Sequence, residues 1–335
     1  MAATNLAPEY TVYVVSGSNK YNLTPAVTGL DIYESEKQIA KSVTIQLANV
    51  LVDGMHLSSL VQPRDRVYIY ANDGTMKEEV FRGFAWSRPY YSAVEDRTLK
   101  LKCYDHLIYL QESETSEYIA AGKTTKDIFT KICGTWGVNL NYTYSSITHA
   151  KLVLRGTLAD IMTSDILDAV KDRVGTDYTI ISDKDTMHVR AVGQNKTIYR
   201  IEAGNNAVST SSEWTMDGMV TKVVILGKAD DDDRLPVEAT ASGNTSKYGT
   251  LQKIIDRDEN TTLADAKKEA QNILNKDGSP KWEYEVKAPD IPWIRKGDKV
   301  YINAGDIVNK YLVVKEISRR ISNDKMEMTL SLKSA

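Results

Sequence analysis

The hexapeptide Arg64-Asp65-Arg66-Val67-Tyr68-Ile69 recurs near the C-terminus as Gly297-Asp298-Lys299-Val300-Tyr301-Ile302. Each copy is followed by a turn, an apolar run, a charged turn and a stretch in which apolar and polar residues alternate. The matching runs are residues 80–84 with 311–315 and residues 99–102 with 326–330. Because the order and spacing agree over about forty residues, the chain is predicted to contain two β domains of the same type. Chance similarity between short strands is the competing explanation.

The first copy lies in a region where hydrophobicity alternates with a period of two residues. Turn residues separate the six predicted strands, which are Tyr10–Val15, Val27–Tyr33, Ser42–Leu47, Arg66–Tyr70, Glu79–Trp86 and Thr98–Cys103. Closure into a small barrel or sandwich would remove the unpaired edges of such short strands. Residues 1–112 are therefore predicted to form a first β-barrel domain.

A segment of different character, residues 113–204, follows. Thr124 with Asp127 three residues later is typical of a helix start. A second helix is predicted for residues 158–174 and a hairpin for residues 178–190. The segment is predicted to be a small α/β module inserted into a mainly β protein.

The chain returns to strand patterns at residue 205, and residues 205–335 are predicted to form the second β-barrel domain. One helix is expected to begin at Thr262, with Asp265 in its first turn. Residues 228–249 are predicted to be a long mobile loop, because they bury too little apolar surface to offset the entropy of ordering. The predicted fold class is mainly β, with two related β-barrel domains flanking the α/β module.

The composition is that of an ordinary globular protein. Of the 335 residues, 42% are hydrophobic and 26% are charged, and 42 Lys and Arg against 45 Asp and Glu give a net charge of −3. This balance predicts no stable binding to nucleic acid and no attraction to an anionic membrane. The apolar runs are far shorter than the ~20 residues needed to cross a bilayer, so membrane insertion is not expected.

The two cysteines, Cys103 and Cys133, lie in different segments without a CxxC spacing. This favours buried thiols over a disulfide or a zinc site. The first eight residues lack the basic start and the apolar stretch of a secretory signal. Synthesis in the cytoplasm is therefore expected.

No sequence motif points to catalysis, to a cofactor or to a metal. The G-x-S-x-G, Walker and G-x-G-x-x-G patterns are missing, and the four histidines lie far apart. Glu34 with Glu36, or Asp53, could be imagined as a glycosidase pair, but the two glutamates alternate at a strand end, where solvated charges are usual. We predict no catalytic residue, no cofactor-binding residue and no metal ligand.

Two features of the sequence are compatible with binding, one of a metal ion and one of a protein partner. The acidic run Asp230 to Asp233 could attract calcium, but it lacks the ligand spacing of an EF-hand loop, and a solvated loop is the simpler interpretation. The aromatic residues Trp86, Tyr90 and Tyr91 are predicted to belong to a protein interface, with core packing and glycan stacking as the alternatives.

The order of the segments is more informative than any single motif. A helix that opens with Gly122-Lys123-Thr124-Thr125-Lys126-Asp127-Ile128 and ends at Trp136-Gly137-Val138 is followed by a strand at residues 219–223 and by the turn at residues 297–300. This order resembles the baseplate hub proteins of contractile phage tails. The similarity extends over nearly the whole chain and is greatest to hubs of PBSX-like defective prophages and of R-type, diffocin-like bacteriocins.

The resemblance implies a structural protein of a contractile injection system and not an enzyme. Hubs of that family are homotrimers whose two β-barrel domains adapt the sixfold tail tube to the threefold central spike. The implied partners are further copies of the chain, the tail tube protein, the central spike protein and other baseplate proteins.

The resemblance also implies where the protein acts. It would be made in the bacterial cytoplasm, assembled into a phage tail or tail-like particle and released by lysis. Any peptidoglycan-degrading activity is expected in a partner, since this sequence ends after the second β region. A cell-wall-binding or peptidoglycan-degrading tail-associated β protein, or a receptor-type adaptor, is the alternative.

Overall fold

The computed structural model of the protein describes residues 7–92, 97–143, 146–228, 235–257 and 262–334. The chain divides into two compact units, of which the larger comprises residues 1–211 with 284–335 and the smaller comprises residues 212–283. Strands account for 50% of the described residues and helices for 19%. The predicted fold class, mainly β with an α/β module, is confirmed. The predicted divisions at residues 112 and 204 stay a prediction.

The first part of the larger unit consists of short strands, a 3₁₀ turn at Thr24–Ala26 and helix α1 at Leu57–Leu60. The strands are β1 (Glu9–Ser16), β2 (Asn19–Asn22), β3 (Val27–Ser35), β4 (Ser42–Ala48), β5 (Leu51–Val52), β6 (Met55–His56), β7 (Arg66–Asn72), β8 (Lys77–Ser87), β9 (Tyr90–Ser92) and β10 (Arg97–Tyr104). The six strands predicted from the alternation are confirmed, since each observed end lies within two residues of the predicted one.

Helices and short strands alternate in the α/β module. The helices are α2 (Ile108–Gln111), α3 (Thr125–Thr135), α4 (Leu158–Asp160) and α5 (Asp168–Val174), and the strands are β11 (Glu114–Ile119), β12 (Asn139–Tyr142), β13 (Leu152–Thr157), β14 (Tyr178–Asp183), β15 (Thr186–Ala191) and β16 (Tyr199–Glu202). A π-helical stretch, Ile161–Leu167, joins α4 to α5 across the predicted range 158–174. Thr124 and Asp127 form the reciprocal capping box expected at the start of α3.

Two strands, β17 (Ser209–Thr215) and β21 (Lys281–Pro289), lead into and out of the smaller unit. The smaller unit contains β18 (Lys222–Leu226), β19 (Val237–Ser242), α6 (Thr245–Tyr248), β20 (Gln252–Asp256) and α7 (Leu263–Asp277). Thr262 caps α7 by accepting the Asp265 N–H, as the sequence predicted. The chain ends in the larger unit with β22 (Lys299–Ala304), β23 (Ile307–Ser322) and β24 (Met326–Ser334).

The prediction of one long loop over residues 228–249 is wrong for residues 237–248. Strand β19 pairs antiparallel with β18 there, and α6 follows it. The sequence of β19 shows no hydrophobic alternation, because the side chains that pack it onto the core of the smaller unit are the small ones of Ala239 and Ala241. The acidic run Asp230 to Asp233, with its calcium hypothesis, lies outside the described residues.

The two copies of the repeated hexapeptide occupy equivalent turns. A carboxylate oxygen of Asp65 accepts the N–H of Gln62 at 2.7 Å, and a carboxylate oxygen of Asp298 accepts the N–H of Arg295 at the same distance. In both turns the residue before the aspartate has a positive φ, 68° in the first copy and 79° in the second. Glycine adopts this conformation without strain, which explains Gly297 in the second copy.

Strand order and register repeat as well. The order β7-β8-β10-β4-β3 in the first region matches β22-β23-β24-β21-β17 in the second. Bulges fall at the same places, after Ile69 and after Ile302 in the first strand of each set. The expectation that the two regions share strand order and align at these turns is confirmed. One difference is that β1 runs antiparallel to β7, whereas β16 runs parallel to β22.

Among the residues that the structure describes no closed barrel is found, and the two predicted barrel domains stay a prediction. The strands form one 14-stranded sheet whose path runs from β17 at one end to β2 at the other without returning. The outer edge of β3 pairs with the second half of β23, which belongs to the other repeat. This pairing uses the edge that a closed first barrel would need for itself.

Two glycine replacements are expected to change stability in opposite directions. A Cβ at Gly83, in β8, would lie 2.1 Å from the carbonyl oxygen of Tyr104, whereas a Cβ at Gly134, in α3, meets nothing within 4 Å. We expect Gly83→Ala to lower the free energy of unfolding by about 3 kcal/mol through overpacking against backbone. Gly134→Ala should raise it by about 0.5–1 kcal/mol. Urea unfolding measures both, and equal effects would contradict the backbone clash.

Candidate functional site

The three residues predicted to form an interface lie along one edge of the first region. Trp86 is the penultimate residue of β8, and Tyr90 and Tyr91 are in β9. The Trp86 ring is half-exposed and meets Tyr104 edge to face at 5.9 Å between centroids. The Tyr90 hydroxyl accepts a hydrogen bond from the Asn49 amide at 3.3 Å. The structure thus places Trp86 near the end of β8 and the two tyrosines in β9, and the role of the three residues in an interface stays a prediction.

A second cluster consists of buried charges, and its centre is Glu34 at the end of β3. The Arg295 guanidinium donates to the Glu34 carboxylate at 2.7 Å, and the Lys41 ammonium lies 3.1 Å from the same carboxylate. Burial alone would raise the pKa of Glu34, but Arg295 and Lys41 outweigh it and hold the pKa well below its usual range. Glu34 is therefore an ionised structural anion.

The cations and the second acid of this cluster have pKa values shifted by burial. Desolvation lowers the pKa of Lys41 to about 7 and that of Lys296 to about 8. Burial also raises the pKa of Asp105 to about 6, although its carboxylate accepts the N–H groups of Lys41 and Leu107 at 3.0 Å each. The charged groups of this cluster come from four places in the fold. Glu34 is in β3, Lys41 directly precedes β4, Asp105 directly follows β10, and Arg295 and Lys296 lie in the turn before β22.

The turn before β22 also holds the α/β module. Arg295 donates to the Ser182 carbonyl at 3.0 Å, and Arg190 donates to Asp298 at 2.6 Å. On the other side of the module, Asp185 accepts hydrogen bonds from Arg66 at 2.7 Å and from Arg82 at 2.8 Å. Ion pairs therefore connect the hairpin β14–β15 to both copies of the repeated β region.

Arg319 is a further buried cation, with 1% of its side chain exposed. Its Nε lies 3.0 Å from a carboxylate oxygen of Asp290, which is itself fully buried. Its terminal nitrogen donates to backbone carbonyls, at 3.2 Å to Ile291 and at 3.3 Å to Pro292. The Tyr10 hydroxyl donates to the other oxygen of Asp290, so this pair ties the first strand of the chain to its C-terminal repeat.

This geometry does not suit acid–base catalysis by the glutamates considered above. A general acid needs a raised pKa, whereas Glu34 is held ionised and inaccessible. Glu36 is exposed and pairs with Lys333 at 2.7 Å, and Asp53 lies at a hairpin turn with φ 50°. Within the described ranges, no group of three or more His, Cys, Asp or Glu residues is arranged to hold a metal ion.

Histidines and cysteines occupy structural positions. The ring of His149 lies 2.9 Å from the Thr125 hydroxyl and that of His106 lies 3.2 Å from the Ser182 hydroxyl. Cys103 and Cys133 are buried free thiols, as predicted, and burial raises the pKa of Cys133 to about 12. None of the helices described reaches the length and hydropathy required to span a bilayer.

The lowered pKa of Lys41 predicts a pH dependence of stability. Unfolded lysine stays protonated up to its ordinary pKa of 10.5, while folded Lys41 loses its proton near pH 7. Between these values the unfolded chain binds more protons, so the free energy of unfolding rises with pH, by at most about 1.4 kcal/mol per pH unit for this group. Lys296 acts in the same direction above pH 8.

We therefore expect Lys41→Met to reduce the gain in stability between pH 7 and pH 9, measured by urea unfolding. The matched control is Lys37→Met, which removes an exposed lysine nearby. An unchanged slope in the Lys41 variant would contradict the assignment.

The chain is similar in sequence to a phage-like element protein and in fold to a prophage tail protein. The Phage-like element PBSX protein XkdQ of Bacillus subtilis (strain 168) is 25% identical over 230 residues, which cover 68% of this chain and 69% of XkdQ. The prophage MuSo2 43 kDa tail protein from Shewanella oneidensis has a TM-score of 0.71 at 13% identity and covers 97% of this chain and 98% of its own.

A solved structure from a secretion system shares the fold too. The E. coli c3393 protein, a component of the type VI secretion system with structural similarity to T4 bacteriophage tail proteins gp27 and gp5, has a TM-score of 0.58 at 9% identity. The match covers 92% of this chain and 74% of c3393.

The fold and the relatives define the class as structural proteins of the phage tail and baseplate type. Within that class, the model of the YqbQ-like family matches residues 33–333, and the chain belongs to that family.

The residues of the buried charge cluster were not predicted from the sequence. A signal was present for Arg319, because it occupies an inward position between Ile317 and Ile321 in an alternating strand. The partners of Glu34 had no such signal, since Arg295 lies in a turn and more than two hundred residues separate it from Glu34.

Proposed function

We propose that the protein is a baseplate hub: a homotrimeric ring that joins the sixfold tail tube to the threefold central spike of a contractile tail or tail-like particle. The observation that carries the proposal is the repeat of strand order, register and turn geometry within one chain. Three chains with two equivalent regions each supply six similar surfaces around a true threefold axis. A sixfold tube could bind the six similar β surfaces, and a threefold spike could bind the surfaces that occur once per chain.

The α/β module supports the threefold side of this proposal. It is present once per chain and breaks the equivalence of the two β regions. Ion pairs to Asp185 and Asp298 hold the module against both β regions. Because each chain has one module, its outer surface would occur three times in a ring of three chains. The proposed partners are two further copies of the chain, the tube protein, the spike protein and other baseplate proteins.

Sedimentation equilibrium of the purified full chain tests the trimer. The expected mass is three times 37.4 kDa. A reconstruction of the tail or tail-like particle by electron microscopy then tests the position between tube and spike. A monomer in solution together with any copy number other than three in the particle would overturn the proposal.

We also propose that the protein is not an enzyme, because the described residues place no accessible nucleophile beside a base. Incubation of the purified protein with peptidoglycan is expected to release no reducing ends and no stem peptides. Release that disappears in Glu34→Gln or Glu36→Gln would favour the alternative, a peptidoglycan-degrading tail protein.

A further inference from the structure

Strand β12 is an edge of the three-stranded sheet in the α/β module. It runs parallel to β15, with Leu140 opposite Met187, and β15 pairs on its other side with β14. In the part of the chain that the structure describes, no strand pairs with the outer edge of β12. Its sequence, Asn139-Leu140-Asn141-Tyr142, contains neither the proline nor the lysine that commonly protects such an edge.

The hydrogen bonds of this sheet show which backbone groups face the outer edge. The Val192 N–H donates to the Asp177 carbonyl at 2.8 Å, in the register of the β14–β15 pair. Because backbone groups alternate along a strand, those of His188 face β14 and those of Met187 face β12. In a parallel pair, Met187 then bonds to the residues on either side of its partner Leu140. The N–H and the C=O of Leu140 therefore face outward, and neither has a hydrogen-bond partner among the described residues.

A groove of about 470 Å³ lies along this edge, between β12 and helix α3. The helix contributes Lys126, Thr130 and Gly134, which are four residues apart and form one stripe along its side. All three are exposed. The strand contributes Leu140, whose side chain packs partly against the core of the module. A strand added to β12 would occupy this groove, with every second side chain toward the stripe on α3.

Gly134 is a second observation that points to an occupant. It lies inside α3, its φ is not positive, and a Cβ there would meet nothing within 4 Å. Nothing in the described fold therefore requires glycine at this position, although glycine destabilises a helix relative to alanine. A position without a side chain is needed where the backbone of another chain comes close to the helix.

The charge of the groove indicates which side chain the occupant presents. Lys126 is the charged residue among those that line the groove. Lys131, further along α3, pairs with Glu117, and the Asp127 carboxylate is bonded to the capping residue Thr124. No carboxylate within the described ranges comes within 4 Å of the Lys126 ammonium. An acidic side chain on the occupant would complement this cation.

We propose that the groove binds an extended segment of a partner protein, which adds a strand to the outer edge of β12 and places an aspartate or glutamate beside Lys126. An extended polypeptide supplies both an acceptor for the Leu140 N–H and a donor for its C=O, and its alternating side chains fit the stripe on α3. The partner is a different protein, because every described strand of this chain is already paired within a sheet. The proposal does not depend on the hub function.

A library of random nine-residue peptides, selected on the purified full-length protein, tests the site without knowledge of the partner. Selected peptides are expected to carry an acidic residue and to bind Gly134→Phe about tenfold more weakly, because the ring fills the groove. Thr135→Phe is the matched control, since this exposed neighbour does not line the groove. A selection that yields no peptide sensitive to Gly134→Phe and insensitive to Thr135→Phe would refute the site.

Charge reversal tests the acidic contact with a variant that leaves Gly134 in place. Lys126→Glu is expected to weaken the selected peptides by about tenfold. Lys123→Glu is the control, because Lys123 is exposed and lies outside the groove. Equal affinities of the two variants for the peptides would contradict the proposed position of the acid.

Amide hydrogen exchange, measured by NMR, distinguishes strand addition from contacts of side chains alone. The Leu140 N–H is expected to exchange about tenfold more slowly when the peptide is bound. The Asn141 N–H faces β15 and should be protected in both states, which makes it an internal control. A peptide that binds in the groove and leaves the Leu140 N–H unprotected would contradict strand addition.

Photo-cross-linking in the assembled particle identifies the source of the segment. A benzophenone amino acid in place of Thr130 is expected to join this chain to a different protein, and Gly134→Phe in the same chain should abolish the product. Cross-links only to another copy of this chain, or no cross-link at all, would overturn the proposal. Because trimer formation does not involve this groove in the proposed hub, such a failure would leave the sedimentation result unchanged.

Discussion

Replacing Glu34 with glutamine is expected to lower the free energy of unfolding by about 3–5 kcal/mol. The change removes the carboxylate between Arg295 and Lys41 and keeps the size of the side chain. Both cations are buried, so the variant must either keep two uncompensated charges or release a proton. Lys41, with a pKa near 7, is the group that can release one.

The loss should therefore be smaller at pH 9 than at pH 6, because neutral Lys41 leaves only one buried cation. Urea unfolding at the two pH values measures the difference. Glu36→Gln is the matched control: Glu36 is exposed and pairs with Lys333, and such surface pairs contribute about 0–1 kcal/mol. Equal losses in the two variants would show that Glu34 is not the anion that holds this cluster.

Arg319→Met is expected to cost a similar 3–5 kcal/mol, since it leaves Asp290 buried without its cation. Three carbonyls, of Ile291, Pro292 and Ile294, lose a donor as well. A thermal or urea unfolding curve measures the change. Burial already raises the pKa of Asp290, so in the variant this carboxyl should take up a proton, and the loss should shrink as the pH falls.

The double variant Arg319→Met/Asp290→Asn separates the pair from its surroundings. It removes both charges and retains an oxygen that can accept the Tyr10 hydroxyl. Replacing both partners of a buried pair is often close to neutral, so the double variant should recover most of the stability. A double variant as unstable as the single one would mean that packing around Arg319, and not its charge, is what stabilises the fold.

Local patterns in the sequence were sufficient for many of the individual elements. Period-two alternation located β3, β4 and β10, and Thr124 with Asp127 located the start of α3. These features depend on residues close in sequence, so a single chain contains the information. Strand β19 was missed for the same reason, because Ala239 and Ala241 are too small to produce a hydrophobic signal.

Pairing between distant strands could not be predicted in the same way. The repeated hexapeptide around Asp65 and Asp298 indicated two similar regions, but it gave no information on which strand pairs with the outer edge of β3. That edge could pair with its own repeat or with the other one, and both choices bury the same side chains of β3. The observed choice, with Ile32 opposite Arg319, is stabilised by charges whose burial is set only by the finished fold.

The pairing of β3 with β23 also has a consequence for synthesis on the ribosome. Ser35 and Glu316 are partners, so almost the whole chain must be translated before the outer edge of β3 finds its native strand. At about 5–20 residues per second this takes roughly 15–60 s. Polysomes keep several nascent copies close together during that interval, each with the same open edge. Until β23 emerges, the open edge of β3 is therefore exposed to pairing with neighbouring copies.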